Sequence, residues 1–288
     1  MIKKIWTLAA TLTQSVLPDY AVVHLQYFRV LRRFPNLRTP RTLTEKLIWR
    51  KLYQRDPRFT VFSDKLRVKD EVAKIIGQAG VIETMWSGTD PAAIPLDWLE
   101  PPYVIKVNHS CGEHIFIHQR DDIDKNKITA TLRQQLGLSF ARRYREWGYS
   151  NIPRRILVER MIKTSDGHMP EDWKFFVYHG RVHFIEVTLN RFTREELHYY
   201  DRDWNLLPVE LAWASRISPA VARPDNLSAM IDSAEKIGEQ FDFIRVDLYS
   251  VGGAIMFGEV AFYPGAGMVK FEPREWDMKF GAPWLISA

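Results

Sequence analysis

The alternation of apolar and polar positions near the end of the chain predicts a β-hairpin. Two runs rich in β-branched and aromatic residues, 243–249 and 254–262, flank a Gly-Gly turn, a pattern typical of antiparallel strands. Alternate side chains of a strand share a face, so Arg245 and Asp247 project together from the first strand, and Glu259 projects from the second. An arginine and two carboxylates therefore interrupt an otherwise apolar hairpin.

The relative position of the two carboxylates depends on the pairing register of this hairpin. A strict two-residue loop pairs position 247 with 258 and sends Asp247 and Glu259 to opposite faces, whereas a loop of three or five residues brings them together. On one face they could share a hard divalent cation, which prefers oxygen ligands. The alternative is a structural ion pair between Arg245 and one carboxylate, and the hairpin alone leaves both open.

Apolar periodicity and capping residues predict further elements upstream. Residues 42–45, Thr-Leu-Thr-Glu, have the capping-box pattern of a helix start, and residues 63–64, Ser-Asp, can cap a helix that ends near Gly77. Residues 127–147 have the spacing of one amphipathic helix, and residues 1–18 are interpreted as a helix and not as a signal peptide. Strands are predicted at 103–107, 115–117, 156–162, 173–178 and 181–187, and another helix at 227–238.

Composition limits the class of protein. The chain has 288 residues, of which 46% are hydrophobic, enough for the core of one large domain or two closely packed ones. The 40 basic and 35 acidic residues give a net charge of +5, a mild excess that favours acidic partners and suggests polyanionic substrates or a membrane surface as readily as nucleic acid. The single cysteine, Cys111, excludes an intramolecular disulfide and suits a reducing compartment. No stretch approaches the roughly 20 apolar residues of a membrane span.

A group of arginines precedes the capping box. Its members are Arg29, Arg32, Arg33, Arg38 and Arg41. Such clusters are usually solvated faces, and the alternative is a contact with a polyanion or with lipid.

Lys106 is a candidate for binding phosphate. It lies at the end of the strand 103–107 and next to the small-residue loop 108–112, whose backbone N–H groups could close over a phosphate. The alternative is a strand-end lysine that reaches solvent.

The same segment suggests two other chemistries, and both are disfavoured. Cys111, His114 and His118 have a zinc-like spacing, but strand positions four apart are separated by about 13 Å, too far for one ion. Residues 108–112 half-match a nucleophile elbow, but the first glycine is missing and a strand follows.

Taken in order, these motifs resemble those of the ATP-grasp ligases, in particular the TupA-like branch, which is named for teichuronopeptide biosynthesis. The resemblance rests on Arg-Val-Asp-Leu-Tyr at 245–249, Phe-Gly-Glu at 257–259 and Pro-Gly-Ala-Gly at 264–267, and it covers about residues 40–281. It implies an α+β, ATP-grasp-like fold with nucleotide between two α+β lobes. The implied boundaries are an N-terminal helical segment at 1–60, lobe one at about 61–155 and lobe two at about 156–288.

The resemblance also implies the metal and phosphate contacts. An Asp and a Glu on adjacent strands of that superfamily hold magnesium against the ATP phosphates, and the matching residues are Asp247 and Glu259, with Mg²⁺, or Mn²⁺, as the ion. Lys106 and Lys174 match the phosphate-contacting lysines, although Lys174 could instead be an edge-strand lysine that discourages aggregation. Many members carry Asn two residues after the Glu, and Ala261 departs from that pattern.

The remaining roles follow from the same resemblance. Lys174 and Arg245 are implied as catalytic residues, with Arg245 orienting an acyl phosphate or an oxygen of Asp247. Further nucleotide contacts are implied in the flexible loop and in the hinge that receives adenine. These are His109, Ser110 and Gly112 in the loop, and Glu159, Arg160, Met161 and Ile162 in the hinge.

The implied function is that of an ATP-dependent carboxylate–amine ligase that acts through an acyl phosphate. Its substrates would be an acidic saccharide or other carboxylate and an amine, in the modification of a uronic-acid-containing cell-surface polysaccharide or its precursor. A cytoplasmic location, with or without contact to the inner face of the membrane, is expected, and no nucleic acid partner is. The alternatives are a sugar or glycan kinase, a glycosyltransferase and a non-catalytic scaffold.

Overall fold

The computed structural model describes residues 17–110, 114–189, 195–213 and 220–286, and most of the helix predicted at 1–18 lies outside them. The described helices are α1 (Asp19–Leu31), α2 (Leu43–Tyr53), α3 (Arg58–Ser63), α4 (Arg67–Ile76), α5 (Lys125–Gly137), α6 (Phe140–Tyr144), α7 (Leu227–Gly238) and α8 (Glu275–Gly281). The strands are β1 (Thr84–Gly88), β2 (Tyr103–Val107), β3 (Ile115–Ile117), β4 (Ile156–Arg160), β5 (Asp172–Tyr178), β6 (Arg181–Leu189), β7 (Glu196–Asp201), β8 (Glu210–Leu211), β9 (Phe243–Val251), β10 (Ala254–Ala261) and β11 (Phe271–Glu272). No described helix is long and apolar enough to cross a membrane.

The strands form two main antiparallel sheets. The small sheet has the order β1-β4-β2-β3, and the large sheet has the order β10-β9-β5-β6-β7. The strand β4 pairs with both β1 and β2, so it belongs to the small sheet of lobe one, although the sequence boundary between the lobes was placed at residue 155. We propose that the boundary falls just after Arg160.

Both faces of the large sheet carry apolar side chains, because its central strand β5 is buried along its whole length. On one face, Phe175 and Val246 belong to a core cluster with residues of α4 and α7. On the other face, Phe176 and Phe243 belong to a cluster that includes Phe280 of α8. Helices thus pack on both faces of the sheet, α4 and α7 on one face and α8 on the other.

The helix α2 packs against the C-terminal helix α8. The predicted capping box is confirmed, since the Thr42 side chain accepts from the backbone N–H of Glu45 and the Glu45 carboxylate accepts from that of Thr42. Lys46 of α2 donates to the carbonyl of Gly281 at 2.9 Å. A Cβ at Gly281 would lie 2.4 Å from the Arg41 carbonyl oxygen, so only glycine permits this contact.

The prediction of a single helix at 127–147 is wrong, because the region forms two helices, α5 and α6. The helix α5 ends at Gly137, and the Ser139 hydroxyl accepts from the N–H of Arg142 at 3.3 Å and caps α6. Glycine ends helices readily and serine competes for backbone groups as an N-cap, so these two local preferences outweigh the amphipathic spacing.

Candidate active site

A β-bulge brings the two predicted carboxylates of the hairpin opposite each other. Val251 pairs with Ala254 across a two-residue turn, and this register continues to Leu248 and Phe257. The register then shifts by one residue, so that Asp247 pairs with Glu259. The rule that a two-residue loop separates the carboxylates is therefore wrong for this hairpin, because the bulge adds the residue that the loop lacks.

The extra residue of the bulge is Gly258, and the space there requires glycine. A Cβ at this position would lie 2.9 Å from the Tyr249 ring and 3.1 Å from the Asp247 carbonyl oxygen. The close approach of Gly258 to β9 is what aligns Glu259 with Asp247.

The carboxylates belong to a row of polar side chains that crosses the large sheet, and we call it the carboxylate row. Pairing between strands places its members side by side: Glu259, Asp247, Lys174 and Glu186. Lys174 lies on β5, in the middle of the sheet, so the interpretation of Lys174 as an edge-strand lysine is wrong.

Lys174 is held by an acidic and a hydroxyl partner. Its Nζ donates to Glu186 Oε1 and to Thr188 Oγ1, both at 2.6 Å, and the Tyr199 hydroxyl donates to Glu186 Oε2 at 2.7 Å. Burial alone would raise the pKa of Glu186, but Lys174 and Arg245 hold this pKa below its usual value. Glu186 is therefore an anion that fixes the lysine beside Asp247, and neither Glu186 nor Thr188 was predicted from the sequence.

Asp247 and Glu259 are both engaged by cationic side chains. Arg245 donates to both oxygens of Asp247, each at 2.7 Å, and its Nη2 lies 3.5 Å from Glu259 Oε1. Lys65 donates to Glu259 Oε2 at 2.9 Å. The ion pair between Arg245 and Asp247 is thus formed. Asp247 and Glu259 nevertheless lie on the same face of the sheet, as binding of one divalent ion by both requires.

The protonation of Asp247 reflects its crowded surroundings. Burial raises its pKa to about 6, Arg245 opposes that change, and the neighbouring charge of Glu259 adds to it. Glu259 is more open, with 34% of its side chain exposed. A cation that reaches both carboxylates would relieve the repulsion between them.

Lys65 is positioned by a clamp that the sequence did not reveal. The side-chain amide of Asn108 donates to the Asp64 carboxylate at 2.9 Å. The backbone carbonyl of Asn108 accepts from the backbone N–H of Lys65 at 3.1 Å. The end of β2 is thereby tied to the residue that meets Glu259. Of the predicted loop residues, His109 is buried and Ser110 is half-buried, and Gly112 lies outside the described residues.

A second group of charged residues lies on the small sheet, and we call it the hinge cluster. Lys69 of α4 and Lys106 of β2 both form ion pairs with Glu159 of β4. Burial alone would raise the pKa of Glu159, but the two lysines hold it below its usual value. Burial lowers the pKa of Lys69. The side chain of Glu159 thus has a structural role that the sequence, which indicated only its backbone, did not predict.

The hinge cluster opens into a cavity of about 580 Å³ that lies between the two sheets. Its wall includes Lys106 and residues 159–162 from one side and Thr188 from the other. Apolar and aromatic residues also line it: Val104, Phe116, Met169, Leu189 and Tyr249. Polar residues, including Asp166, Glu171 and Asp172, line it as well. Because Thr188 also accepts from Lys174, the cavity and the carboxylate row are adjacent.

The structure therefore brings most of the predicted site residues into two neighbouring groups. Lys106, Glu159, Arg160, Met161 and Ile162 line the cavity, and Lys174, Arg245, Asp247 and Glu259 lie beside it in or next to the carboxylate row. His109 and Ser110 do not line the cavity in this conformation.

The donor set of the carboxylate row suits a magnesium ion that also binds phosphate. Mg²⁺ is usually held by one or two carboxylates together with phosphate oxygens and water, and Asp247 and Glu259 supply two facing carboxylates. Among the described residues, no group of three or more His, Cys, Asp or Glu side chains is arranged to hold an ion. The two carboxylates fit an ion whose remaining ligands are phosphate oxygens and water.

The comparison with known families places the chain among proteins of the ATP-grasp fold. A model of the family described as TupA-like ATP-grasp matches residues 45–285, and the chain belongs to this TupA-like ATP-grasp family. The family and the α+β fold expected from the sequence are confirmed. No curated protein sequence matches the chain significantly.

Several solved structures are similar to the chain. The D-alanine–D-alanine ligase of Bacillus anthracis complexed with ATP has 15% identity over 70% of this chain and 55% of that chain, with a TM-score of 0.41. The L-amino acid ligase of Bacillus licheniformis has 14% identity over 76% and 48%, with a TM-score of 0.45. The D-alanine–D-alanine ligase of Helicobacter pylori has 11% identity over 78% and 62%, with a TM-score of 0.44. The chain thus spans between 48% and 62% of the length of these proteins.

Proposed function

We propose that this protein is an ATP-dependent ligase that joins a carboxylate to an amine through an acyl phosphate. The observation that carries the proposal is the register of the β9–β10 hairpin, which sets Asp247 against Glu259 next to Lys174 and beside a cavity lined by Lys106. Membership of the TupA-like ATP-grasp family supports it.

ATP would bind in the cavity, with adenine at the hinge. The N–H of Arg160 already donates to Glu83 and that of Met161 donates to Pro102. Among the described residues, the N–H of Ile162 makes no backbone hydrogen bond, so we assign the adenine contact to Ile162. The apolar side chains of the cavity wall suit the faces of an aromatic ring.

The phosphates would extend from Lys106 toward the carboxylate row. The hinge cluster contains two lysines and one carboxylate, so it has an excess positive charge to offer to a polyanion. Bound between Asp247 and Glu259, Mg²⁺, or Mn²⁺ on the same ligands, would neutralise phosphate oxygens.

The side chains of this chain would then guide two successive transfers. An oxygen of the substrate carboxylate attacks the terminal phosphorus of ATP, which releases ADP and forms the acyl phosphate. Lys106 and Lys174 stabilise the charge that develops on the transferred group. Arg245 orients the acyl phosphate or an oxygen of Asp247. The amine then attacks the acyl carbon, the C–O bond to phosphate breaks, and the amide and inorganic phosphate form.

For the substrates, we propose an acidic saccharide of the cell surface, such as a uronic-acid-containing polysaccharide or its precursor, and an amino acid or other amine. The family to which the chain belongs and its net charge of +5 support an acidic acceptor. Because the reaction consumes ATP, we place it in the cytoplasm.

Trapping of the activated carboxylate tests this proposal. The protein is incubated with ATP, Mg²⁺ and oligouronides in the presence of hydroxylamine, a small amine that converts an acyl phosphate into a stable hydroxamate. We expect hydroxamate and ADP in equal amounts with the native chain and neither with Glu259→Gln. A phosphorylated saccharide without hydroxamate would contradict the ligase and establish the kinase alternative.

A further inference from the structure

An exposed apolar patch lies on α1 and on the segment just after it, far along the chain from the candidate active site. It consists of Tyr20, Leu25, Phe28 and Phe34, which are 56%, 51%, 39% and 63% exposed. The rings of Phe28 and Phe34 are stacked with their centroids 4.9 Å apart. We call these four residues the α1 patch.

The patch is the outer face of an otherwise well-packed helix. The opposite face of α1 is buried, and Val23 and Tyr27 form a core cluster with Ile48 of α2. Tyr20 and Phe28 are eight residues apart, about two turns, and therefore share the outward face. Large apolar side chains in one contiguous exposed group are characteristic of an interaction surface.

Basic side chains occur within and just after the segment that carries this patch. Arg29, Arg32, Arg38 and Arg41 are exposed, and none of them makes an ion pair in the part of the chain that the structure describes. Asp19 is the single acidic residue between positions 17 and 41. It pairs with Arg145 at 3.1 Å, so no acidic side chain of this segment pairs with these four arginines.

We propose that the α1 patch binds the surface of a lipid bilayer that contains anionic lipids. An amphipathic helix with apolar and aromatic residues on its outer face and arginines beside them inserts its apolar side chains at the headgroup boundary, while the cations meet the lipid phosphates. Aromatic side chains and the long stems of arginine suit such an interface.

Charge argues against two other occupants of this patch. The preceding residues 1–16 contain Lys3 and Lys4 and no acidic residue, so covering the patch with them would add like charges to the four arginines. A second copy of the chain would also bring the same arginines together. An anionic surface is the complementary partner.

Vesicle flotation with matched variants tests this inference. The full-length chain is mixed with phosphatidylcholine vesicles with and without phosphatidylglycerol, at low and high salt. We expect binding only to the anionic vesicles and a loss of binding at high salt. Each basic residue near such a surface changes the affinity about fivefold, so Arg29→Gln with Arg32→Gln should weaken binding about 25-fold. Leu25→Ser with Phe34→Ser should weaken it by at least tenfold, because inserted apolar surface is lost.

Control variants distinguish vesicle binding by the α1 patch from nonspecific binding through other exposed apolar or basic side chains. Trp98 is 85% exposed elsewhere on the surface, and Lys127 and Arg133 are exposed on α5. Trp98→Ser, and Lys127→Gln with Arg133→Gln, should leave vesicle binding unchanged. The inference is overturned if the native chain does not bind anionic vesicles, as with an acidic protein partner, or if the control pair weakens binding as much as the patch pair. It is equally overturned if Lys3→Gln with Lys4→Gln abolishes binding while the patch variants retain it.

Discussion

The hinge cluster and the carboxylate row lie on facing sheets and use the same kinds of side chain in different proportions. In the hinge cluster, two lysines surround one buried carboxylate, Glu159. In the carboxylate row, Arg245 and Lys65 meet Asp247 and Glu259, and Lys174 meets the third carboxylate, Glu186. The first arrangement is a fixed anion with surplus positive charge, which suits phosphate. The second is a balanced set of exchangeable pairs, which suits an incoming metal ion.

The pKa values show the same contrast. The lysines hold the pKa of Glu159 below its usual value, whereas burial and Glu259 raise that of Asp247 to about 6. The surrounding lysines thus stabilise Glu159 as an anion, whereas additional positive charge is required to stabilise the anion of Asp247.

The largest effect should follow from neutralising the anion of the hinge cluster. Glu159→Gln leaves Lys69 and Lys106 close together without their shared partner. Breaking a buried ion pair from one side costs about 3–5 kcal/mol, and we expect a loss of this size in the free energy of unfolding, measured by urea denaturation. A cost below about 1 kcal/mol would show that the hinge cluster is solvated and would contradict its difference from the carboxylate row.

The next effect concerns the bulge that creates the carboxylate pair. Gly258→Ala places a methyl group against Tyr249 and the backbone of Asp247, and overpacking of this kind costs about 1–3 kcal/mol. We also expect weaker binding of Mg²⁺ with nucleotide, because Glu259 loses its alignment. Gly137→Ala is the matched control, since a Cβ there meets nothing within 4 Å and the helix should gain up to about 1 kcal/mol. Equal behaviour of the two variants in urea would contradict the role of the bulge.

The pH dependence of metal binding should report the protonation of Asp247 in the carboxylate row. Folding raises the pKa of Asp247 from 3.8 to about 6, so the folded state binds the proton more tightly, and this group lowers stability as the pH rises through that interval. A metal ion requires the deprotonated form, and Mg²⁺ affinity should therefore fall about tenfold per pH unit below about 6. Calorimetry with a non-hydrolysable ATP analogue measures this, after subtraction of the pH dependence of Mg²⁺ binding to free nucleotide. A flat profile between pH 4 and pH 6 would contradict the raised pKa.

The smallest effect should come from the partly exposed end of the carboxylate row. Lys65→Met removes one of the two cations beside Glu259, whose side chain is 34% exposed, and exposed pairs contribute at most about 1 kcal/mol. Lys69→Met, in the hinge cluster, should cost several times more in the same urea titration. If Lys65→Met were the more damaging of the two, the distinction between a fixed and an exchangeable cluster would be wrong.

Local patterns predicted much of this architecture. The capping box at Thr42, the hairpin of β5 and β6 and the two runs of the β9–β10 hairpin are encoded within short stretches of sequence, and the structure has all of them. The family resemblance supplied the α+β fold and five of the residues that line the cavity, Lys106 and residues 159–162.

Features that depend on distant parts of the chain were not predictable. The bulge at Gly258 is one residue inside a regular alternation, and only packing against Tyr249 shows why it forms. The partners of Glu159 come from a helix and from another strand, so no local pattern reports them. Lys65 directly follows the predicted helix cap at residues 63–64, but only the fold shows that it meets Glu259.

Nucleotide-dependent stabilisation tests the central claim most directly. Thermal unfolding is followed with a non-hydrolysable ATP analogue, with and without Mg²⁺, for the native chain, Asp247→Asn, Glu259→Gln and the control Glu272→Gln, which alters an exposed ion pair with Lys270. At about 100 times the dissociation constant, binding should add ~2.7 kcal/mol to the stability of the native and control chains. The account predicts a magnesium-dependent rise that both carboxylate variants lose. No rise in a cooperatively folded native chain, or an undiminished rise in both variants, would contradict it.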